Sequence, residues 1–119
     1  MKKSLVIGAS TNPQRYAYQC ITMLRDHNIE TVAIGLREGN VQDVKITTEK
    51  EKFEDIHTVN IYLSAKNLKE YEDYIIDLKP KRVLFPPGTE NPEFENRLTK
   101  EKILHERACP LVMLSVSTY

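Results

Sequence analysis

The sequence predicts an α/β fold: a single doubly wound domain with a mostly parallel five-stranded sheet flanked by helices. Three observations carry that expectation. Short apolar or β-branched runs alternate with amphipathic segments from the first residues onward, which favours βαβ units with right-handed crossovers. Gly, Asn and Pro punctuate the junctions between them. The length of 119 residues suits one hydrophobic core, so 1–119 reads as one domain.

Taken in order, Lys3–Ala9 is a buried strand carrying Leu5, Val6 and Ile7, with Gly8 near its end. Asn12-Pro13 reads as a helix start, since Asn caps well and Pro at the first helical position forfeits no hydrogen bond. Tyr16, Ala17, Cys20, Ile21 and Leu24 recur at helical spacing, giving one buried stripe. Asn28 supplies a left-handed stop. Thr31–Gly35 is a β-branched second strand. The charged stretch from Leu36 to Asp55 reads as a long surface connection with a short extended piece at Val44–Thr47.

Thr58–Leu63 is the third strand, with Val59, Ile61 and Leu63 alternating. Asn67 is expected to cap a second helix whose stripe is Leu68, Tyr71, Tyr74, Ile75 and Leu78, ended by Pro80. Arg82–Phe85 is the fourth strand. Asn91-Pro92 repeats the cap device before a third helix with Phe94 and Leu98 inward. Ile103-Leu104-His105 is a short fifth strand, and Cys109–Leu114 an apolar tail that packs back, as a short helical turn.

Charge narrows the partners. Seventeen basic residues face seventeen acidic ones, eight of each in 1–60 and nine of each in 61–119. No stretch carries the basic excess of a nucleic-acid or membrane-surface binder. An anionic ligand therefore has to be held by a few placed groups and backbone N–H. No apolar run approaches a membrane span, and the apolar stretch before Gly8 is too short for a signal peptide. Two cysteines make neither a disulfide scaffold nor a metal clip. Reduced thiols in a cytoplasmic protein are expected. His27, His57 and His105 lack ligand spacing.

In doubly wound sheets ligands bind beyond the carboxyl ends of the strands, where the strand order reverses. The turn Gly8-Ala9-Ser10-Thr11-Asn12-Pro13 offers small residues, two hydroxyls and a helix N-terminus, a setting that accepts a diphosphate. It is neither G-x-G-x-x-G nor a Walker A loop; a tight turn without ligand reads equally well. In the second turn, Gly35-Leu36-Arg37-Glu38-Gly39, Arg37 favours a phosphorylated ribose, as in NADP or coenzyme A. Solvated turn charges are the alternative. The fourth turn, Pro86-Pro87-Gly88-Thr89-Glu90-Asn91, is stiff; Asn91 either meets a ligand or only caps. Cys20 lies on the apolar stripe and reads as a core thiol. Cys109, with His105 four residues upstream, is a weak nucleophile candidate without an orienting third group.

The run Leu5-Val6-Ile7-Gly8-Ala9-Ser10-Thr11-Asn12-Pro13-Gln14-Arg15-Tyr16 resembles the opening of the small stand-alone CoA-binding proteins. These are Rossmann-like domains related to the CoA-binding domain of succinyl-CoA synthetase. The resemblance continues through Val32–Gly35, Lys79–Phe85, Pro87–Pro92 and Ala108–Leu114. It implies coenzyme A or an acyl-CoA across the first two turns. By that resemblance Gly8, Ser10, Asn12 and Arg15 fall in the diphosphate turn; Ala9, Thr11 and Tyr16, in or flanking the same turn, are further candidates for the site. It likewise places Arg37 in the ribose-phosphate turn and Gly88 and Asn91 in the facing loop; Gly35 and Pro87, which adjoin them, complete the candidate set. Pro86 stands where the family commonly has Asn, and Ala17 where it often has Ser.

The expectation is a binding module without catalytic residues, metal, nucleic-acid or membrane partner. A homodimer is compatible with its size. The alternatives are a module for NADP or another adenine nucleotide, a small acyl-CoA-acting enzyme using Cys109, and a protein-interaction domain that has lost its ligand.

Overall fold

The computed structural model describes residues 2–119. Its strands are β1 (Ser4–Ala9), β2 (Thr31–Gly35), β3 (Gly39–Val41), β4 (Val44–Thr47), β5 (Thr58–Ile61), β6 (Arg82–Leu84) and β7 (Leu104–Glu106). The helices are α1 (Tyr16–Asp26), α2 (Ala65–Leu68), α3 (Glu72–Leu78), α4 (Pro92–Lys100) and α5 (Pro110–Ser115). The strands form one sheet in the order β3-β4-β2-β1-β5-β6-β7. All neighbours run parallel except β3 against β4. The fold is Rossmann-like and doubly wound, as the alternating pattern predicts.

The strand count corrects the expected five to seven. The extended piece at Val44–Thr47 is β4, and it pairs with β2. The extra edge strand, β3, lies inside the segment read as a surface connection. Its hairpin with β4 turns over Gln42 and Asp43, with Gln42 at φ +52°. Val41, Val44 and Ile46 point into the core while Asn40 and Lys45 face water. That alternation spans too few residues to stand out among charges. Asp43 accepts from both Nε and Nη2 of Arg25 on α1, at 2.8 and 2.9 Å. This bidentate pair fastens the hairpin to the helix.

Two helix starts also differ. α1 opens at Tyr16 with Arg15 as its cap residue, not at Asn12-Pro13. Asn12 and Pro13 instead form a separate turn, closed by the Arg15 N–H bonding to the Asn12 carbonyl at 3.0 Å. Ser64, not Asn67, caps α2 by accepting the Asn67 N–H. α2 then tightens through a 3-10 turn, Lys69–Tyr71, into α3. Asn28 is left-handed (φ +58°) as expected, and Asn91 caps α4 with Pro92 following.

Both sheet faces are covered. Leu5, Ile7, Ile34, Val59, Ile61, Val83 and Phe85 pack with Leu68, Ile75, Phe94 and Leu98 from α2, α3 and α4. Val6, Ala33, Ile46 and Leu84 pack on the other face with Ala17, Cys20, Ile21 and Leu24 of α1 and Leu114 of α5. Double burial explains the unbroken run Leu5-Val6-Ile7.

At the amino ends of the strands, the Tyr119 side chain closes the second layer. Its hydroxyl bonds to Ser4 Oγ (2.8 Å) and to the Asn60 amide (2.9 Å). The Arg82 guanidinium lies over its ring, 4.7 Å from the centroid, and Lys2 Nζ donates to the Tyr119 main-chain oxygen.

Candidate functional site

The chain leaves β1 toward β2 on one side and returns to β5 on the other. The carboxyl end of β1 is therefore the point where the strand order reverses, the general ligand position in such sheets. Gly8 bulges there, at φ +91°. A Cβ on Gly8 would lie 2.4 Å from the Tyr62 carbonyl oxygen, and one on Gly35 would lie 2.4 Å from that of Ala9. Three chain segments thus meet at backbone distance with no side chain between them.

Beyond these glycines lies a crevice of about 130 Å³, lined by Gly8, Gly35, Leu36, Leu63, Asn67, Glu70 and Tyr71. Leu36 is 87% exposed, an apolar side chain with little role in the core. Burial, and secondarily the Glu70 carboxylate, raises the Tyr71 hydroxyl above its ordinary pKa. Leu36, Leu63, Asn67, Glu70 and Tyr71 join these glycines although none belongs to the site set expected from the sequence. The signal for Asn67 is that Ser64–Asn67 follows the third strand and so lies at the same carboxyl edge; Leu68 and Tyr71 read simply as a helical core stripe.

The first turn folds on itself. Ser10 Oγ accepts the Asn12 N–H, and Asn12 Oδ1 accepts the Gln14 N–H, each at 3.0 Å. The Thr11 methyl packs on Gly39 of β3; a Cβ at Gly39 would lie 2.5 Å from it. α1 has no side-chain cap and no acidic residue in its first turn. Its opening N–H groups belong to Tyr16, Ala17 and Tyr18, and the first of these residues is 68% exposed. By contrast, α4 is capped by Asn91 and carries Glu93 and Glu95 in its first turn. In general an uncapped helix end favours an anion more than one capped and flanked by carboxylates. Arg15 and Arg37 are both exposed.

The fourth turn is self-contained. Both Glu90 carboxylate oxygens accept the Gly88 N–H at 3.1 Å. Bonds from the Glu90 and Gly88 backbone hold the Glu90 carboxyl below its ordinary pKa. Asn91 Oδ1 accepts the Phe94 N–H at 3.3 Å, and Glu95 accepts the Asn91 N–H at 2.9 Å. Asn91 therefore caps. It also lines an open groove of about 520 Å³ between α2 and α4. The structure brings Gly8 and Gly35 into one crevice, with Asn91 in a separate groove; Pro87 and Gly88 line neither.

The cysteines lie apart from this edge chemistry. Burial pushes the Cys20 thiol up to about 12. Cys109 heads α5, which packs against α1. His105 Nε2 instead bonds Thr99 Oγ1 of α4 at 2.8 Å, and its ring meets Phe85 edge-on. The two side chains form no hydrogen-bonded pair.

A family model described as "CoA binding domain" matches residues 2–115. The chain belongs to this family. As a member of the CoA-binding domain family it has close structural counterparts. A crystal structure described as that of an uncharacterized protein is 40% identical, with a TM-score of 0.97, covering 100% of this chain and 98% of the other. A Thermus thermophilus protein has a TM-score of 0.87 at 17% identity, covering 99% and 90%. A hypothetical protein from Pyrococcus horikoshii OT3 has a TM-score of 0.82 at 23% identity, covering 98% and 84%. The last two share the CoA-binding-domain fold. No curated protein matches the chain. Among the described residues, no helix of this CoA-binding domain is long and apolar enough to cross a membrane.

Proposed function

We propose that the chain is a binding module for coenzyme A or an acyl-CoA that acts without covalent chemistry. The observation that carries this reading is the open N-terminus of α1 beside the bulged Gly8, at the reversal of strand order. The diphosphate rests on the N–H groups of Tyr16, Ala17 and Tyr18, with Ser10, Thr11 and Asn12 shaping the turn and Arg15 neutralising charge. The nucleotide's base enters the crevice between Leu36 and Leu63, over Gly8 and Gly35. The ribose phosphate faces the Arg37 side of the mouth, and the pantetheine arm runs toward Pro87-Gly88.

NADP is the second reading, because it shares the adenine, the diphosphate and an extra ribose phosphate, which Arg37 serves equally. Calorimetric titration with coenzyme A, acetyl-CoA, NADP and ATP separates the two. Coenzyme A and acetyl-CoA are expected to bind more tightly than NADP and ATP. No heat of binding with millimolar coenzyme A overturns the proposal.

A further inference from the structure

We infer that Lys50 recognises the extra ribose phosphate, so that it discriminates coenzyme A from its dephospho form. The inference rests on the CoA reading above and adds to it a determinant outside the two glycine turns.

Position comes first. β4 runs parallel to β2 and beside it, so the segment after Thr47 emerges at the same carboxyl edge as Gly35 and Leu36. Lys50 is three residues beyond β4. Its ammonium donates to the Glu70 carbonyl at 2.7 Å and lies 5.1 Å from the centroid of the Tyr71 ring. Glu70 and Tyr71 line the crevice together with Gly8, Gly35 and Leu36. A positive charge is thus held against two of the crevice's lining residues by a hydrogen bond and a cation–π contact, although Lys50 does not itself line the crevice.

The ammonium keeps capacity for a ligand. It has three donors and the Glu70 carbonyl occupies one. Among the described residues Lys50 forms no salt bridge. Its backbone is held as well: the neighbouring Glu51 carbonyl accepts the Tyr74 hydroxyl, and Phe53 packs on the core. Arg37 is the contrast. Both side chains are exposed, but no hydrogen bond or ion pair of the Arg37 side chain occurs among the described residues. Ordering Arg37 on a phosphate costs more side-chain entropy than using a lysine already in place. Glu38 and Glu70 bring negative charge to the same end. The rim therefore has no general positive field, and selection for a dianionic phosphate falls to a short-range contact.

Calorimetry with coenzyme A and dephospho-coenzyme A, on the native chain and on Lys50→Gln, Lys50→Arg and Arg37→Gln, tests this. The native chain should prefer coenzyme A by roughly ten-fold, the worth of one charge-assisted contact. Lys50→Gln should remove most of the preference, Arg37 keeping the remainder, while leaving dephospho-coenzyme A affinity within about two-fold, as expected when no bond to that ligand is lost. Lys50→Arg should keep most of the preference, and Arg37→Gln should reduce it less than Lys50→Gln does. An unchanged preference in Lys50→Gln, or equal weakening of both ligands, overturns the inference while leaving the CoA reading intact. Failure of both ligands to bind the native chain overturns the CoA reading itself, and this inference with it.

Discussion

The Tyr119 hydroxyl accepts a hydrogen bond from the buried Asn60 amide, joining the last residue of the sequence to the middle of β5 at 2.9 Å. Asn60 is fully buried and its Oδ1 already has no partner. Removing the hydroxyl leaves the amide nitrogen unsatisfied as well. Tyr119→Phe should therefore cost about 1–3 kcal/mol. Tyr119→Ala also empties the ring's site beneath Arg82 and should cost roughly 3–5 kcal/mol. Urea unfolding followed by circular dichroism measures both. Equal midpoints for Tyr119→Phe and the native chain would show that the hydroxyl network is energetically idle.

Gly8 and Gly88 both have positive φ, at +91° and +89°, but their surroundings differ. A Cβ on Gly88 meets nothing within 4 Å, whereas one on Gly8 meets the Tyr62 backbone. Gly88→Ala should cost only the conformational strain, about 1–3 kcal/mol. Gly8→Ala adds a backbone clash and should cost more, because the sheet itself must shift. Thermal unfolding of the two variants fixes their order, and the reverse order would refute the steric account.

Leu36 is largely exposed, so Leu36→Asp should change stability by no more than about 0.5 kcal/mol. If the crevice takes the base, the same substitution should weaken coenzyme A binding by roughly ten-fold or more, since it places a charge against an apolar ring. Retained affinity in a normally folded Leu36→Asp chain would remove the crevice from the binding site.

Arg15 stands at the open end of α1, where the proposed diphosphate lies. Both coenzyme A and its dephospho form carry that diphosphate, so Arg15→Ala should weaken both equally, by roughly ten-fold. The native chain's affinity should also fall with added salt, less so in Arg15→Ala. A selective effect on one ligand would move Arg15 away from the diphosphate.

His57 titrates below its ordinary value of 6.5, because of its burial and the nearby charges of Arg82, Lys2 and Lys81. Its Nδ1 lies 2.7 Å from Thr58 Oγ1. The unfolded chain binds the His57 proton more readily than the folded one. Stability should accordingly rise with pH from the lowered folded pKa up to about 6.5 and then level off with respect to this group. Urea midpoints between pH 5 and pH 7.5 measure the slope, and His57→Gln should flatten it. A slope that survives in His57→Gln belongs to another group.

What the sequence made readable were features with long or unmistakable local signals. The run Leu5-Val6-Ile7, the stripe Ala17-Cys20-Ile21-Leu24 and the Asn91-Pro92 cap all occupy their expected places. What it hid depends on contacts distant in the chain. β3 is three residues long and exists because it pairs with β4 and is fastened by Arg25. The start of α1 shifted because Asn12 and Pro13 satisfy a turn of their own just as well as a helix cap. The crevice residues Asn67, Glu70 and Tyr71 face the Gly8 turn only once α2 tightens through its 3-10 turn. Lys50 sits in a charged run, Glu49-Lys50-Glu51-Lys52, where no local pattern marks one lysine from the other.

The Thr11–Gly39 contact has a use in engineering. Gly39 lies on an edge strand and does not line the crevice, yet the turn proposed to hold the ligand leans on it. A side chain introduced there would act as a wedge, displacing Ser10–Asn12 while leaving every proposed ligand-contacting atom chemically intact. If the first turn holds the ligand as proposed, position 39 becomes a remote dial for affinity. Libraries confined to the walls of the cleft would never turn it.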